Sequence, residues 1–148
     1  MTLIEFSMNL PADPSKIYKI ATDYDNAIKY LPPYQVKSIK VVERKGNETI
    51  TEEILTFEAI KFQEILQRTS HKLIDKNIIQ SDIIKGPLKG TSVQLTLGKN
   101  DSGTTITIKA NLKLTLKYKI LTPLIKTKYK TFLTAVLYKM NTAAMELS

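Results

Sequence analysis

The hydrophobic positions in the last quarter of the chain repeat at helical spacing. From Thr122 to Leu147, apolar side chains recur every three or four residues at Ile125, Tyr129, Phe132, Val136, Met140, Ala143 and Leu147, with Leu121 just ahead of them. Leu133, Leu137 and Ala144 widen that stripe to an arc of roughly 140° at about 100° per residue, so the pattern predicts one long amphipathic helix. Thr122 suits the N-cap, and Pro123 suits the first helical position, where its missing N–H costs nothing. An arc this wide needs a broad surface to cover.

The upstream sequence supplies such a surface, because its pattern changes from helical spacing to alternation. Thr2 to Leu10 places Ile4, Phe6, Met8 and Leu10 on one face and Leu3, Glu5, Ser7 and Asn9 on the other, which predicts a half-buried strand. Pro11-Ala12-Asp13-Pro14 breaks it, with Asp13 as N-cap of a short helix carrying Ile17, Tyr18, Ile20 and Ala21. Asp23 is placed to cap a second short helix, which Pro32-Pro33 ends. Six strand-like segments follow: Tyr34 to Arg44, Glu48 to Glu58, Ile60 to Ile74, Asn77 to Ile84, Thr91 to Lys99 and Thr104 to Tyr118. Lys45-Gly46-Asn47, Asp75-Lys76-Asn77 and Asn100-Asp101-Ser102-Gly103 read as hairpin turns, and Lys85-Gly86-Pro87-Leu88-Lys89-Gly90 as a longer loop. The expected architecture is α+β: a curved antiparallel sheet of about seven strands gripping the C-terminal helix, with two short helices after the first strand.

Composition narrows the chemistry. The 148 residues fit one globular domain, read as a single ligand-binding unit from 1 to 148, with no repeat, linker or internal boundary. No cysteine is present, which excludes disulfides, thiolate nucleophiles and cysteine metal sites. A lone histidine with scattered carboxylates lacks metal-ligand spacing, and no phosphate-cradling loop, dinucleotide fingerprint or Ser-His-Asp order occurs. No cofactor is expected. The start of the chain lacks a basic segment followed by an apolar core, and no apolar run approaches bilayer length, so a cytoplasmic location is the expectation.

The order of strand, two short helices, six strands and long helix is that of the helix-grip fold. The residues Leu10-Pro11-Ala12-Asp13-Pro14-Ser15-Lys16-Ile17-Tyr18, then Asp23-Tyr24 and Tyr30-Leu31-Pro32, resemble the opening of the polyketide cyclase/dehydrase and START-like (SRPBCC) superfamily. Within it the loop Lys85 to Gly90 resembles the Gly-Pro loop of the coenzyme Q-binding branch. Two features depart from the family pattern: the chain has no Trp, offering Tyr30 or Tyr24 instead, and Lys45-Gly46-Asn47 is too short for the glycine-rich loop of the plant allergen and hormone-receptor branch. The resemblance implies a cavity between sheet and helix that takes a lipid, quinone or polyketide, with the protein as carrier or chaperone. The alternative it implies is an aromatase/cyclase-type enzyme, in which a buried Tyr, Glu or Arg assists proton transfer.

Candidate lining residues follow from strand and helix parity. Leu55, Phe57, Phe62, Leu66, Val93, Leu95, Leu97, Ile108 and Leu112 come from the sheet, and Tyr129, Phe132, Val136 and Met140 from the helix. The same signature fits a solid core, since both are apolar. If Leu55 and Phe57 face inward, so does Glu53. If Ile60, Phe62 and Leu66 face inward, so does Arg68, and Glu53 or Glu64 can then pair with Arg68 to orient a ligand head group. A single β-bulge reverses that parity and leaves the charges outside, which is the commoner outcome for charged strand positions. His71 belongs to an otherwise polar parity class, so a solvated side chain is a simpler reading than a catalytic base.

The net charge of +8 is concentrated late in the chain: Ser102 to Met145 holds eight lysines and no acidic residue. Lys126, Lys128, Lys130 and Lys139 flank the helix stripe, and Lys109, Lys113 and Lys117 share the outer face of the last predicted strand. They suit a transient contact with an anionic membrane, a ribosome or nucleic-acid surface, or a solvated face that aids solubility. Only Arg44 and Arg68 are arginines, which argues against sequence-specific nucleic-acid recognition, where guanidinium forks predominate. The helix also carries an uncharged row, Thr127, Thr131, Thr134, Tyr138 and Thr142, as a further contact surface.

Overall fold

The computed structural model describes residues 2–57, 61 and 63–147. Seven strands, β1 (Thr2–Leu10), β2 (Val36–Lys45), β3 (Glu48–Thr56), β4 (Glu64–Asp75), β5 (Ile78–Lys85), β6 (Ser92–Asn100) and β7 (Gly103–Leu112), form one antiparallel sheet. Their order is β1-β7-β6-β5-β4-β3-β2, so β2 to β7 form a meander whose last strand is joined by the first. Helix α1 (Pro14–Ala21) and a 3₁₀ helix (Tyr24–Tyr30) follow β1, and α2 (Thr122–Met145) closes the chain. This is the α+β helix-grip arrangement expected from the pattern.

The β1–α1 corner forms for local reasons. Asp13 takes extended geometry and its carboxylate accepts the Ser15 N–H at 3.0 Å, which caps α1 and leaves Pro14 where no donor is needed. Ile17 and Ile20 then turn into the core with Leu10, Leu97, Ile106, Ile108, Leu137 and Ala144. Two bonds fasten α2 to this corner: the Ala12 N–H donates to Asn141 Oδ1 at 3.1 Å, and Lys16 Nζ donates to the Leu147 carbonyl at 3.0 Å. A second cluster, Ile4, Ile83, Leu88, Ala110, Leu112 and Ile125, packs the start of α2 against the sheet. A third, Val36, Leu55 and Ile65, belongs to the β2–β4 side, with Phe132 of α2 packed on it.

Three local expectations are corrected. β7 ends at Leu112, because β1 pairing ends at Thr2–Leu112 and Thr91 Oγ1 exchanges hydrogen bonds with the Lys113 backbone at 2.9 and 3.0 Å. The chain then turns into a 3₁₀ helix over Leu116–Leu121, so Lys113 and Lys117 are not in line with Lys109 on a strand. That 3₁₀ helix runs directly into α2, so Thr122 is the first helical residue rather than the cap, and its hydroxyl donates back to the Lys119 carbonyl at 2.5 Å. Asp23 makes no capping bond to the second short helix; its carboxylate instead accepts from Asn26 Nδ2 at 2.8 Å. Among the described residues no helix is long and apolar enough to cross a membrane.

Candidate functional site

A cavity of about 230 Å³ lies between the sheet and α2. Its helix wall is Tyr129, Phe132, Leu133, Val136, Leu137 and Met140, one side of the stripe that the spacing predicts. Its sheet wall includes Leu55, Phe57, Ile79, Ile83, Val93, Leu95 and Ile108, and Ala21, Tyr24, Ala27 and Leu31 of the β1–β2 connection contribute as well. Leu97 and Leu112, both offered as lining, are instead solid core, 2% and 1% exposed in the clusters beside the cavity. Phe62 lies outside the described residues.

One strip of this wall is polar: Glu53 on β3, Gln67, Thr69 and His71 on β4, and Ser81 on β5. The strip follows from register. Leu55 is opposite Ile65 and Glu53 opposite Gln67, and directly opposed residues of antiparallel strands share a face. Inward Leu55 therefore forces Ile65, Gln67, Thr69 and His71 inward too, and sends Leu66 and Arg68 outward. Even-number parity from Ile60 predicts both residues in the cavity, and the observed parity is the opposite. Arg68 pairs on the outer face, Nε to Glu52 Oε2 at 2.9 Å, with Lys40 3.6 Å from the same carboxylate, and Glu64 meets Lys37 at 3.7 Å. Glu53 and Arg68 are thus on opposite faces of the sheet and do not pair.

Glu53 is 7% exposed and has no cationic partner among the described residues. Burial pushes its carboxyl up to about 7, against the lowering effect of hydrogen bonds from Thr69, Gln67 and Thr51. Thr69 donates its only hydroxyl hydrogen to Glu53 Oε1 at 2.6 Å, so it must accept from Gln67 Nε2, 3.5 Å away. That chain leaves Glu53 Oε2 and Gln67 Oε1 buried without a hydrogen-bond partner among the described residues, and the Tyr24 hydroxyl shares that condition. Tyr129 of α2 faces the same carboxyl: burial and then the Glu53 charge both raise its phenol.

His71 is a cavity residue rather than the solvated side chain that parity suggested. Its Nε2 lies 2.9 Å from Thr51 Oγ1 and its Nδ1 2.8 Å from Ser81 Oγ, and its ring stacks on Tyr24 at 4.5 Å between centroids. Burial lowers its pKa to about 4, so the ring is neutral near pH 7. The loop Lys85 to Gly90 supports the strip from outside: Gly86 has φ +114°, and a Cβ there would lie 2.9 Å from the Leu66 carbonyl oxygen. Gln67, Thr69 and Ser81 escaped the sequence reading and His71 was read as solvated, because a polar residue on a strand is counted as outward unless the cross-strand register is known; Tyr24, on the 3₁₀ helix, entered it only through the family resemblance, in place of the absent Trp.

All seven lysines put forward as a surface are exposed: Lys109 on β7, Lys113 just past it, Lys117 in the 3₁₀ helix, and Lys126, Lys128, Lys130 and Lys139 on α2. Among the described residues no group of three His, Cys, Asp or Glu side chains is arranged to hold a metal ion.

No family model and no curated protein matches this sequence. Solved structures do match in fold. A protein of Thermus thermophilus is 17% identical over 97% of both chains, with a TM-score of 0.82. A START superfamily protein from Mycobacterium smegmatis is 12% identical over 99% of both chains, with a TM-score of 0.78. The Zhui aromatase/cyclase from Streptomyces sp. R1128 is 10% identical over 97% of this chain and 93% of that one, with a TM-score of 0.75. The chain thus has the helix-grip fold of START and polyketide aromatase/cyclase structures. Nothing in these likenesses distinguishes the coenzyme Q-binding branch.

Proposed function

We propose that the protein binds one hydrophobic small molecule in the cavity between sheet and α2, as a carrier or chaperone. The observation that carries this reading is the composition of the wall: apolar and aromatic on nearly every side, with a single buried polar strip from Glu53 to Ser81. Such a wall favours a ligand that is apolar over most of its surface and polar at one end. With Glu53 ionised, its Oε2 and Gln67 Oε1 are both acceptors, so the polar end that satisfies them donates hydrogen bonds. An isoprenoid quinone in its reduced, dihydroxy form meets that requirement, as does another lipid with a hydroxyl head. At about 230 Å³ the cavity is smaller than the ~300–1,000 Å³ of drug-sized pockets, which suits a ring and the first part of a chain rather than a whole polyprenyl tail.

Native mass spectrometry of protein purified from its own source, followed by organic extraction, tests this. A stoichiometric lipid or quinol is the expected result. A clean apo mass, with no binding from a panel of quinones, quinols and lipids, overturns it.

A second reading is favoured by Glu53 itself. A cavity carboxyl raised to about 7, facing a tyrosine on the opposite wall, is matched to proton transfer near neutrality, as an aromatase/cyclase-type reaction on a polyketide-like substrate requires. Glu53→Gln separates the two: an enzyme loses turnover with its ligand still bound, whereas a carrier loses affinity alone.

A further inference from the structure

The segment between β7 and α2 places large apolar side chains in solvent. Leu116 is 87% exposed and Ile120 88%, and Leu124, in the first turn of α2, is 46% exposed. The first two values are far above those of every other described leucine, isoleucine or valine, of which the next highest, Ile74 and Leu3, are 54% and 53% exposed. The same segment holds Lys113, Lys117, Lys119 and Lys126, all exposed, and no acidic residue occurs from Ser102 to Met145. The loop of Lys85 and Lys89, also exposed, is tied to it through the Thr115 N–H, which donates to the Pro87 carbonyl at 2.8 Å.

We propose that this apolar prominence and its lysine rim, Leu116, Ile120 and Leu124 with Lys113, Lys117 and Lys119, dock the protein on an anionic lipid surface. The charge pattern chooses the occupant. A second copy would bring its own lysines against this face, which like-charge repulsion opposes, whereas an anionic bilayer offers negative head groups to the rim and an acyl boundary to the leucine and isoleucine side chains. Each lysine held near such a surface raises partitioning about five-fold, and each inserted aliphatic side chain adds a factor of about ten. The inner side of the same segment faces a different environment: Tyr118 and Leu121 line a second cavity of about 20 Å³ together with Phe57, Gln67 and Leu88, which also line the main cavity. Docking therefore brings the membrane to the segment whose inner side borders the ligand site.

Co-sedimentation with vesicles tests the proposal without a ligand. The probes are pure phosphatidylcholine and phosphatidylcholine mixed with phosphatidylglycerol. The wild-type protein is expected on the mixed vesicles and not on the neutral ones, with binding lost as salt rises. Leu116→Ser with Ile120→Ser, and separately Lys117→Glu with Lys119→Glu, should each weaken binding about ten-fold or more. All four positions are exposed, so the fold should tolerate both pairs, and an unchanged circular dichroism melt checks that. Absence of wild-type binding overturns the proposal. So does wild-type affinity in the Leu116/Ile120 variant, which would mean adsorption by charge alone, and so does a wild-type dimer that this variant dissolves, which would make the patch a contact between copies.

Discussion

Glu53 is held where a carboxylate is least comfortable, in an apolar cavity with the Thr69 hydroxyl on one oxygen and, among the described residues, no partner on the other. A ligand that donates a hydrogen bond to that oxygen is worth more here than in water, because the bond is charge-assisted and screened from solvent. This predicts discrimination between probes of nearly equal shape. At pH 8, with Glu53 ionised, 2-naphthol should bind about ten-fold or more tightly than 2-methoxynaphthalene, which has no donor. Fluorescence titration measures both. Glu53→Leu should erase the preference while leaving binding of the ether intact. Equal affinities in the wild type would discard the donor requirement but not the cavity. Arg68 supplies the contrast, since its partner Glu52 is on the outer face and the Arg68 side chain is 44% exposed. Arg68→Ala should leave naphthol affinity unchanged and shift stability by less than about 1 kcal/mol in chemical denaturation.

At the scale of elements, α2 owes its position to more than its apolar stripe. Ile125, Val136, Leu137 and Ala144 are its buried residues, yet much of the stripe between them borders a cavity rather than a packed core. The bond from the Ala12 N–H to Asn141 therefore carries part of the seating of its C-terminal half. Asn141→Ala leaves that part-buried donor unpaired and should cost about 1–2 kcal/mol, read from urea unfolding; a loss below a few tenths would mean that water replaces the side chain freely. The helix, the seven strands and their antiparallel pairing were legible in the sequence because each has a sustained period of its own; the order of the strands was not. The polar strip was only half legible. Glu53 could be placed from Leu55 and Phe57, its neighbours on one strand, but Gln67, Thr69 and His71 depend on how β4 registers with β3. Parity has to be carried from β3, which ends at Thr56, to β4, which begins at Glu64, and the pattern within either strand does not fix it. Arg68 and Leu66 were misplaced for that reason, and the 3₁₀ helix after Leu112 was missed because Leu114 and Leu116 continue the alternation of a strand that has run out of partners.

For the whole molecule, the cavity makes two titrating groups oppose one another. Glu53 has a folded pKa of about 7 against an ordinary 4.5, so its ionisation is harder in the folded state; it costs nothing below about pH 4.5 and removes stability as pH rises through 7, by about 3 kcal/mol in total. His71 has a folded pKa of about 4 against 6.5, so its protonation is harder in the folded state; it costs nothing above about pH 6.5 and removes a similar amount as pH falls through 4. Between pH 4.5 and 6.5 the two slopes are opposite and nearly equal, and their joint contribution is flat. Removing either group exposes the other. Glu53→Gln should gain stability relative to wild type as pH rises from 4.5 to 7, and His71→Gln should lose stability relative to wild type as pH rises from 4 to 6.5, each by about 3 kcal/mol. Urea midpoints across that range measure both, and differences from wild type cancel the surface carboxylates common to all three proteins. A Glu53→Gln curve parallel to the wild-type curve would mean that Glu53 ionises as it does in water, and that the acceptor in the cavity wall is not held at the cost on which the donor-bearing ligand depends.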